Sequence, residues 1–285
     1  MDSPLGFAAS SVPGEVTPLC PGVRRIVAPN AGMMTGAGTN TYLLGEKDVA
    51  VLDPGPVHPE HLQAILAATG PGTIRWVVVT HTHRDHSPLA AVLARRTGIR
   101  LLGVPAPDDG RQDESFAPDH VPRDGERLAL GDIELTAVHT PGHASNCVCY
   151  LLENQRLLFT GDHVLEGVSP VILPPDGDMM AYMDSLAKLD AYDFDGIAPG
   201  HGKVMNRGKR VVAALRAHRL ARETKLLAQL AGGAATLDQL TPAVYDDVLP
   251  ERHPWAKLTL EAHLIKLVRE GRVAEIQGRW RIDSA

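Results

Sequence analysis

Cysteine is scarce in this 285-residue chain: there are three, and Cys147 and Cys149 stand two apart. In a strand that spacing holds both on one face roughly 6.5–7 Å apart, too far for a comfortable disulfide. A reduced, cytoplasmic protein is the plain expectation. No apolar run approaches the ~20 residues that span a bilayer, so no membrane partner is expected. The first eleven residues carry Asp2 and Pro4, with neither a positive cluster nor a long apolar stretch, unlike a secretory signal. Positive charge is not in excess either. The 28 Lys and Arg against 34 Asp and Glu leave a net charge of -6, which excludes indiscriminate attraction to nucleic acid but permits a local basic surface. A Gly-x-Ser-x-Gly elbow and a Lys-Ser/Thr phosphate loop are both missing, which removes two common catalytic classes.

What is present is ordinary globular material, 44% hydrophobic and 22% charged, with 27 glycines and 22 prolines that predict short elements and tight connections. Strands are expected near residues 22–27, 41–44, 49–52, 74–79, 100–104, 133–138, 147–152, 156–159 and 196–198. Helical pattern covers 59–68, 87–96 and 179–189. This alternation fits an α/β sandwich with mixed sheets. Beyond Gly202 the texture changes. Residues 206–231 predict one long helix whose buried side carries Ala213, Ala217, Leu220, Thr224, Leu227 and Ala231, ended by Gly232-Gly233. Helices near 236–245 and 255–269, then a hairpin over 272–282, outline a winged helix. The expected divisions are an N-terminal extension (1–17), a catalytic domain (18–212), and a connector helix with a winged-helix-like domain (213–285).

The strongest local signal is His81-Thr82-His83-Arg84-Asp85-His86, directly after the apolar run Trp76-Val77-Val78-Val79. Four good ligands within six positions would be a poor use of polar residues at the end of a buried strand unless something binds there. The same grammar recurs at Gly142-His143, Gly161-Asp162-His163 and Pro199-Gly200-His201, each following an apolar run. Open α/β sheets place ligands outside the carboxyl ends of their strands. The expected assignment is His81, His83 and His143 on one metal, Asp85, His86 and His201 on a second, and Asp162 between them. An imidazole-rich site with two carboxylates suits two divalent ions, zinc first, with manganese or iron as alternatives. Ions ~3.5–4 Å apart would share a hydroxide positioned by the metal-held Asp85 and Asp162, making both carboxylates catalytic.

These motifs, in this order, resemble the metallo-beta-lactamase superfamily over about residues 18–212. The resemblance implies the αββα sandwich fold and agrees with the ligand roles above. The segments Gly38-Thr39-Asn40-Thr41-Tyr42-Leu43, Leu52-Asp53-Pro54-Gly55 and Gly161-Asp162-His163-Val164-Leu165, with the winged-helix-like tail, look like the subfamily of beta-lactamase-like protein 2 and its bacterial relatives. The animal member is a mitochondrial endoribonuclease acting on single-stranded RNA, so the resemblance implies cleavage of RNA phosphodiesters. One departure weakens that substrate class: Cys147 stands where the subfamily usually has histidine after Ser145-Asn146.

Around this set, Asp53 is expected either to accept a hydrogen bond from a ligand histidine or to cap a turn. His163 is expected against the pocket, and Asn40 and Tyr42 at its border or in a plain hairpin. One of Asp176 and Asp178 should cap the next helix. The competing substrates are single-stranded RNA, held by Arg216, Arg219 and Arg222, and a small thioester, ester or lactone. A non-enzymatic winged-helix regulator is the alternative from another class, and the tail could also serve packing or homo-oligomer formation.

Overall fold

Apolar runs too short for helices and bounded by turn residues become strands. The computed structural model describes residues 12–95 and 98–283, so the N-terminal extension and the expected helix end at Arg96 fall largely or wholly outside the described residues. The chain divides into two units. One holds the chain up to Thr140 with Asn146–Val168 and Ala191–Lys209, and the other Pro141–Ser145, Ser169–Asp190 and the chain from Arg210 on.

In the first unit, β1 (Val16–Cys20), β2 (Val23–Val27), β3 (Asn40–Leu44), β4 (Asp48–Leu52), β5 (Thr73–Val78) and β6 (Arg100–Leu102) follow one another across a sheet. The first four pair antiparallel, then β4, β5 and β6 run parallel. Parallel neighbours need a crossover, and the helices α1 (Pro59–Thr69) and α2 (Pro88–Ala94) supply it. The second sheet orders β7 (Arg127–Leu130), β8 (Ile133–His139), β9 (Val148–Leu152), β10 (Leu157–Gly161) and β11 (Gly196–Pro199), with only β10 and β11 parallel.

Tyr42, Leu44, Leu52 and Val78 from one sheet share a core with Leu135, Tyr150, Leu152 and Phe159 from the other. The alternate residues Leu43, Val51, Val77 and Val79 pack instead with Ile65, Leu89 and Leu93 of α1 and α2. A sheet covered on both faces has continuous apolar strands, which is why its central strands stand out in sequence. Two strands do not. β1 carries Pro18 on a sheet edge, where a missing N–H is tolerated, and β7 is only four residues long.

The second unit holds α3 (Met179–Lys188), α4 (Gly208–Leu230, apart from its first two residues), α5 (Leu237–Val244), α6 (His253–Arg269) and the hairpin β12 (Val273–Ile276) with β13 (Arg279–Ile282). The last four are the expected winged-helix outline. Asp178 caps α3, accepting from Met180 N at 2.8 Å and Ala181 N at 3.0 Å. Thr236 and Gln239 form a reciprocal capping box on α5. Leu226, Leu230, Leu240, Leu260, Leu264 and Val273 make the core. No described helix is long and apolar enough to cross a membrane.

The buried face of α4 corrects the sequence expectation. Val212, Leu215, Arg219, Arg222, Leu226 and Leu230 are buried at three- and four-residue spacing, whereas Leu220 is 48% exposed. The true stripe contains two arginines and Glu223, so it does not read as apolar. Their charges are compensated inside. Glu223 accepts from Lys266 Nζ at 2.9 Å and lies 3.1 Å from His263 Nδ1. Burial pushes the Glu223 carboxyl upward, but hydrogen bonds from His263 and Lys266 outweigh it and hold the carboxyl below its usual range. Burial also pushes His263 down, against the pull of Glu223.

Both shifts have the same consequence. A carboxylate with a depressed folded pKa contributes stability above its ordinary range that disappears as pH falls through the folded value, and a buried neutral imidazole resists acid protonation. Glu223→Ala is expected to cost about 3–5 kcal/mol, as for any partner removed from a buried ion pair, whereas Glu270→Ala should cost no more than about 1 kcal/mol. Urea denaturation at neutral and acidic pH measures this, and the gap between Glu223→Ala and wild type should narrow in acid.

Candidate metal centre

The carboxyl ends of three strands supply most of the donors in the first unit. Past β5, residues 80–86 turn across the strand ends. β10 ends at Gly161, and β11, its parallel neighbour, leads into Gly200-His201, so Asp162 and His201 emerge side by side. Close approach explains two glycines. A Cβ on Gly161 would lie 2.3 Å from Thr80 Oγ1, and one on Gly200 would lie 2.5 Å from Asp162 Oδ1 and 2.6 Å from His86 Cε1.

Three overlapping groupings of donors result. His81 Nε2 and His83 Nδ1 are 3.0 Å apart. Asp85, His86 and His201 offer ligand atoms within 4.8 Å of one another, and so do His81, His86 and Asp162. His201 Nε2 lies 3.1 Å from Asp85 Oδ2 and 3.4 Å from Asp162 Oδ1, and His86 Nε2 lies 3.5 and 3.4 Å from the same two oxygens.

Each ring is aimed by what holds its other nitrogen. Asp53 Oδ2 lies 3.0 Å from His86 Nδ1, while Thr80 donates its N–H to Asp53 Oδ1 at 2.8 Å and its hydroxyl to Oδ2 at 2.7 Å. Thr80 Oγ1 thereby faces His81 Nδ1 as an acceptor, at 3.1 Å. The Gly38 carbonyl takes His201 Nδ1 at 3.2 Å. Nε2 is left to point inward in all three. Asp53 itself adopts a left-handed backbone, φ 48°, a conformation that Asp tolerates better than most residues. Thr41 Oγ1 donates to its carbonyl at 2.7 Å and meets His61 Nε2 at 2.8 Å.

The donor chemistry fits a cation. Burial opposes charge on Asp85 and Asp162, yet His86 and His201 hold Asp85 down to about 2 and Asp162 well below the usual carboxylate range. Burial likewise opposes charge on the imidazoles, but Asp85, Asp162 and Asp53 raise His86 well above its ordinary value, and Asp162 and Asp85 raise His201 to about 10. Without a metal, protons on these rings must supply the positive charge. Divalent ions supply the same charge and leave the rings neutral, as nitrogen ligands must be.

Asn40 and Tyr42 brace the third strand end. Asn40 Nδ2 donates to the carbonyls of Pro199 and Gly202, both at 2.9 Å, and Tyr42 OH donates to Pro199 O at 2.7 Å. His163 is fully buried beside Asp162 but belongs to none of the donor groups among the described residues. His143 sits in the second unit, its Nδ1 2.8 Å from Val171 O.

Two of the three arginines expected to meet RNA are buried. Arg219, 2% exposed, donates to Pro170 O and lies over the Tyr182 ring, and Arg222, 7% exposed, makes a bidentate pair with Asp247. Arg216 pairs with Asp190 at 2.8 Å. Arg219 and Arg222 are thus buried and committed to partners, whereas Arg216 is half-buried in a solvent-facing pair. Thr80 and His61 went unnoticed in sequence. Thr80 had a weak signal, a hydroxyl at the end of a buried strand; His61 had none on an otherwise unremarkable helix.

The metallo-beta-lactamase superfamily pattern matches residues 34–201. The chain belongs to this superfamily. By its family and its thioesterase relatives it is a hydrolase, and a beta-lactamase associated winged helix domain matches residues 236–280. Over 263 residues, 85% of this chain and 79% of the relative, it is 32% identical to an atrochrysone carboxyl ACP thioesterase of Aspergillus fumigatus. It is 30% identical to the beta-lactamase-like protein 2 homolog of Caenorhabditis elegans, covering 86% and 82%. A beta-lactamase domain protein from Burkholderia ambifaria shares the fold, with TM-score 0.82, 22% identity and coverage of 98% and 96%.

Since Asp53 fixes both the tautomer and the direction of His86, Asp53→Ala should weaken metal binding by roughly 10–100-fold, the usual range for loss of a group that orients a ligand. Competition titration with a chromogenic chelator measures it. Affinity equal to wild type would show that the loop backbone alone orients the ring.

Proposed function

We propose that the chain is a dinuclear metal-dependent hydrolase of thioesters. The supporting observation is the 32% identity to a thioesterase, which extends over 85% of the chain and so well beyond the catalytic region. In this proposal His81, His83 and His143 hold one ion, Asp85, His86 and His201 hold the other, and Asp162 reaches both. Two bound divalent ions, zinc or alternatively manganese or iron, would activate water at neutral pH and polarise the substrate carbonyl.

The chain's own residues set the geometry. Asp53, Thr80 and the Gly38 carbonyl hold the ring proton on Nδ1 and leave Nε2 facing inward, and Asn40 and Tyr42 hold the His201 loop through Pro199 O. In the reaction water's oxygen bonds to the carbonyl carbon, the carbon–sulfur bond breaks, and acid and thiol are released. A thiol, with a pKa near ~8.5, leaves as thiolate without a strong proton donor, so the donor set described is sufficient. Cleavage of RNA has less support, because Arg219 and Arg222 are buried and paired. A non-enzymatic regulator would have no use for a complete, braced donor set.

Purified protein should contain close to two ions per chain and hydrolyse acyl thioesters in a chelator-sensitive way. Asp162→Ala should lower turnover by at least about 10²-fold, the scale for loss of one preorganised electrostatic group, with the fold retained by circular dichroism. His163→Ala should be milder. Metal-dependent cleavage of single-stranded RNA with no turnover of any thioester would overturn the proposal.

A further inference from the structure

Residues 141–145, which carry His143, belong to the second unit with 169–190 and the chain from Arg210 on. Their bonds there are specific. Pro141 O accepts from Ser185 Oγ at 2.8 Å, Gly142 O accepts from Asp178 N at 2.8 Å, and Ser145 N donates to Asp176 Oδ2 at 3.2 Å. Gly142, φ 143°, lies close against α3, where a Cβ would fall 2.3 Å from Tyr182 Cα. The backbone on both sides of His143 is thereby fixed to α3 and to the segment that leads into it.

The ring is fixed from another direction. His143 Nδ1 lies 2.8 Å from Val171 O. A carbonyl only accepts, so Nδ1 carries the proton, and the neutral ring keeps its lone pair on Nε2. The N–H of the same peptide group, on Ile172, donates to Thr259 Oγ1 of α6 at 3.3 Å. A trans peptide group points its C=O and N–H in opposite directions, so one planar unit joins the imidazole to α6. One residue earlier, Pro170 O accepts from Arg219 of α4, whose guanidinium lies over the Tyr182 ring. Ile172 is fully buried and Thr259 is 5% exposed. An N–H in such a place is costly to leave unpaired.

We propose that Thr259 is a positioning residue for the metal ligand His143, so that the winged-helix-like part of the chain takes part in metal binding without supplying a ligand. The proposal rests on the ligand set given above, in which His143 holds an ion. Without the hydroxyl, the Val171–Ile172 peptide group can turn, its carbonyl leaves Nδ1, and the ring loses the orientation that aims Nε2. The loss falls on the ion that His143 holds. His86, oriented by Asp53, and His201, oriented by the Gly38 carbonyl, keep their aim.

Zinc titration of the metal-free protein against a chromogenic chelator should resolve two binding steps, and His143→Ala shows which of them involves His143. Thr259→Val, which exchanges the hydroxyl for a methyl of similar size, should weaken that step about tenfold, the low end for loss of a group that orients a ligand. The other step should keep its wild-type affinity, and Thr259→Ser should restore the weakened one. Thr259→Ala removes the same hydroxyl with less bulk and carries the test where Thr259→Val does not fold by circular dichroism. Wild-type affinity at both steps without the hydroxyl overturns the proposal. Equal weakening of both steps, the mark of a general loss of stability, overturns it too. Two undiminished steps in His143→Ala defeat the ligand assignment, and the role of Thr259 with it. The titration needs no turnover, so absence of thioester hydrolysis defeats the proposed reaction alone, and the two binding steps still decide the role of Thr259.

Discussion

Asp85 and Asp162 bring two carboxylates to within hydrogen-bonding range of the same pair of imidazoles, His86 and His201, in a place that is mostly closed to water. Like charges this close repel strongly in a low-dielectric setting, and burial adds a further cost for each. The arrangement is stable only with positive charge among the oxygens, carried by protons on the rings or by metal ions. Much of the surrounding structure serves that requirement: Asp53 with its left-handed backbone, the Thr80 hydroxyl, the glycines at 161 and 200, and the Gly38 carbonyl.

The sheets deliver these groups because strand ends are where a buried run meets polar surroundings. β10 and β11 are the only parallel pair in their sheet, so their carboxyl ends emerge together and set Asp162 next to His201. β5 ends in the other sheet, and its loop is fastened across by the bond from Val148 N to Thr80 O. Backbone hydrogen bonds thus help hold together donor segments that are far apart in sequence.

This also explains which parts were legible in the sequence. A histidine or aspartate within three residues of Val78-Val79 or Phe159 breaks an apolar pattern abruptly, and such breaks point to ligands whatever fold surrounds them. The central strands were legible for the complementary reason, burial on both faces. The buried stripe of α4 was not, because Arg219, Arg222 and Glu223 occupy it and their compensation by Asp247, His263 and Lys266 comes from residues remote in sequence. β7 was too short to show a period. Thr80 touches both Asp53 and the His81 ring, and His61 reaches Asp53 only through Thr41. Such supporting contacts leave no spacing to recognise.

The hold of Asn40 and Tyr42 on the Pro199 carbonyl has a mechanical consequence. Both side chains belong to β3 in the first sheet, and the carbonyl ends β11 in the second. The loop that carries His201 is therefore moored to the sheet opposite its own strand, while His81 and His86 follow a strand of that opposite sheet. Any ion shared by these histidines becomes a clasp between the two layers. Separation of the sheets and loss of metal are then one event, and heat resistance of the first unit rises with the logarithm of free metal concentration above the dissociation constant.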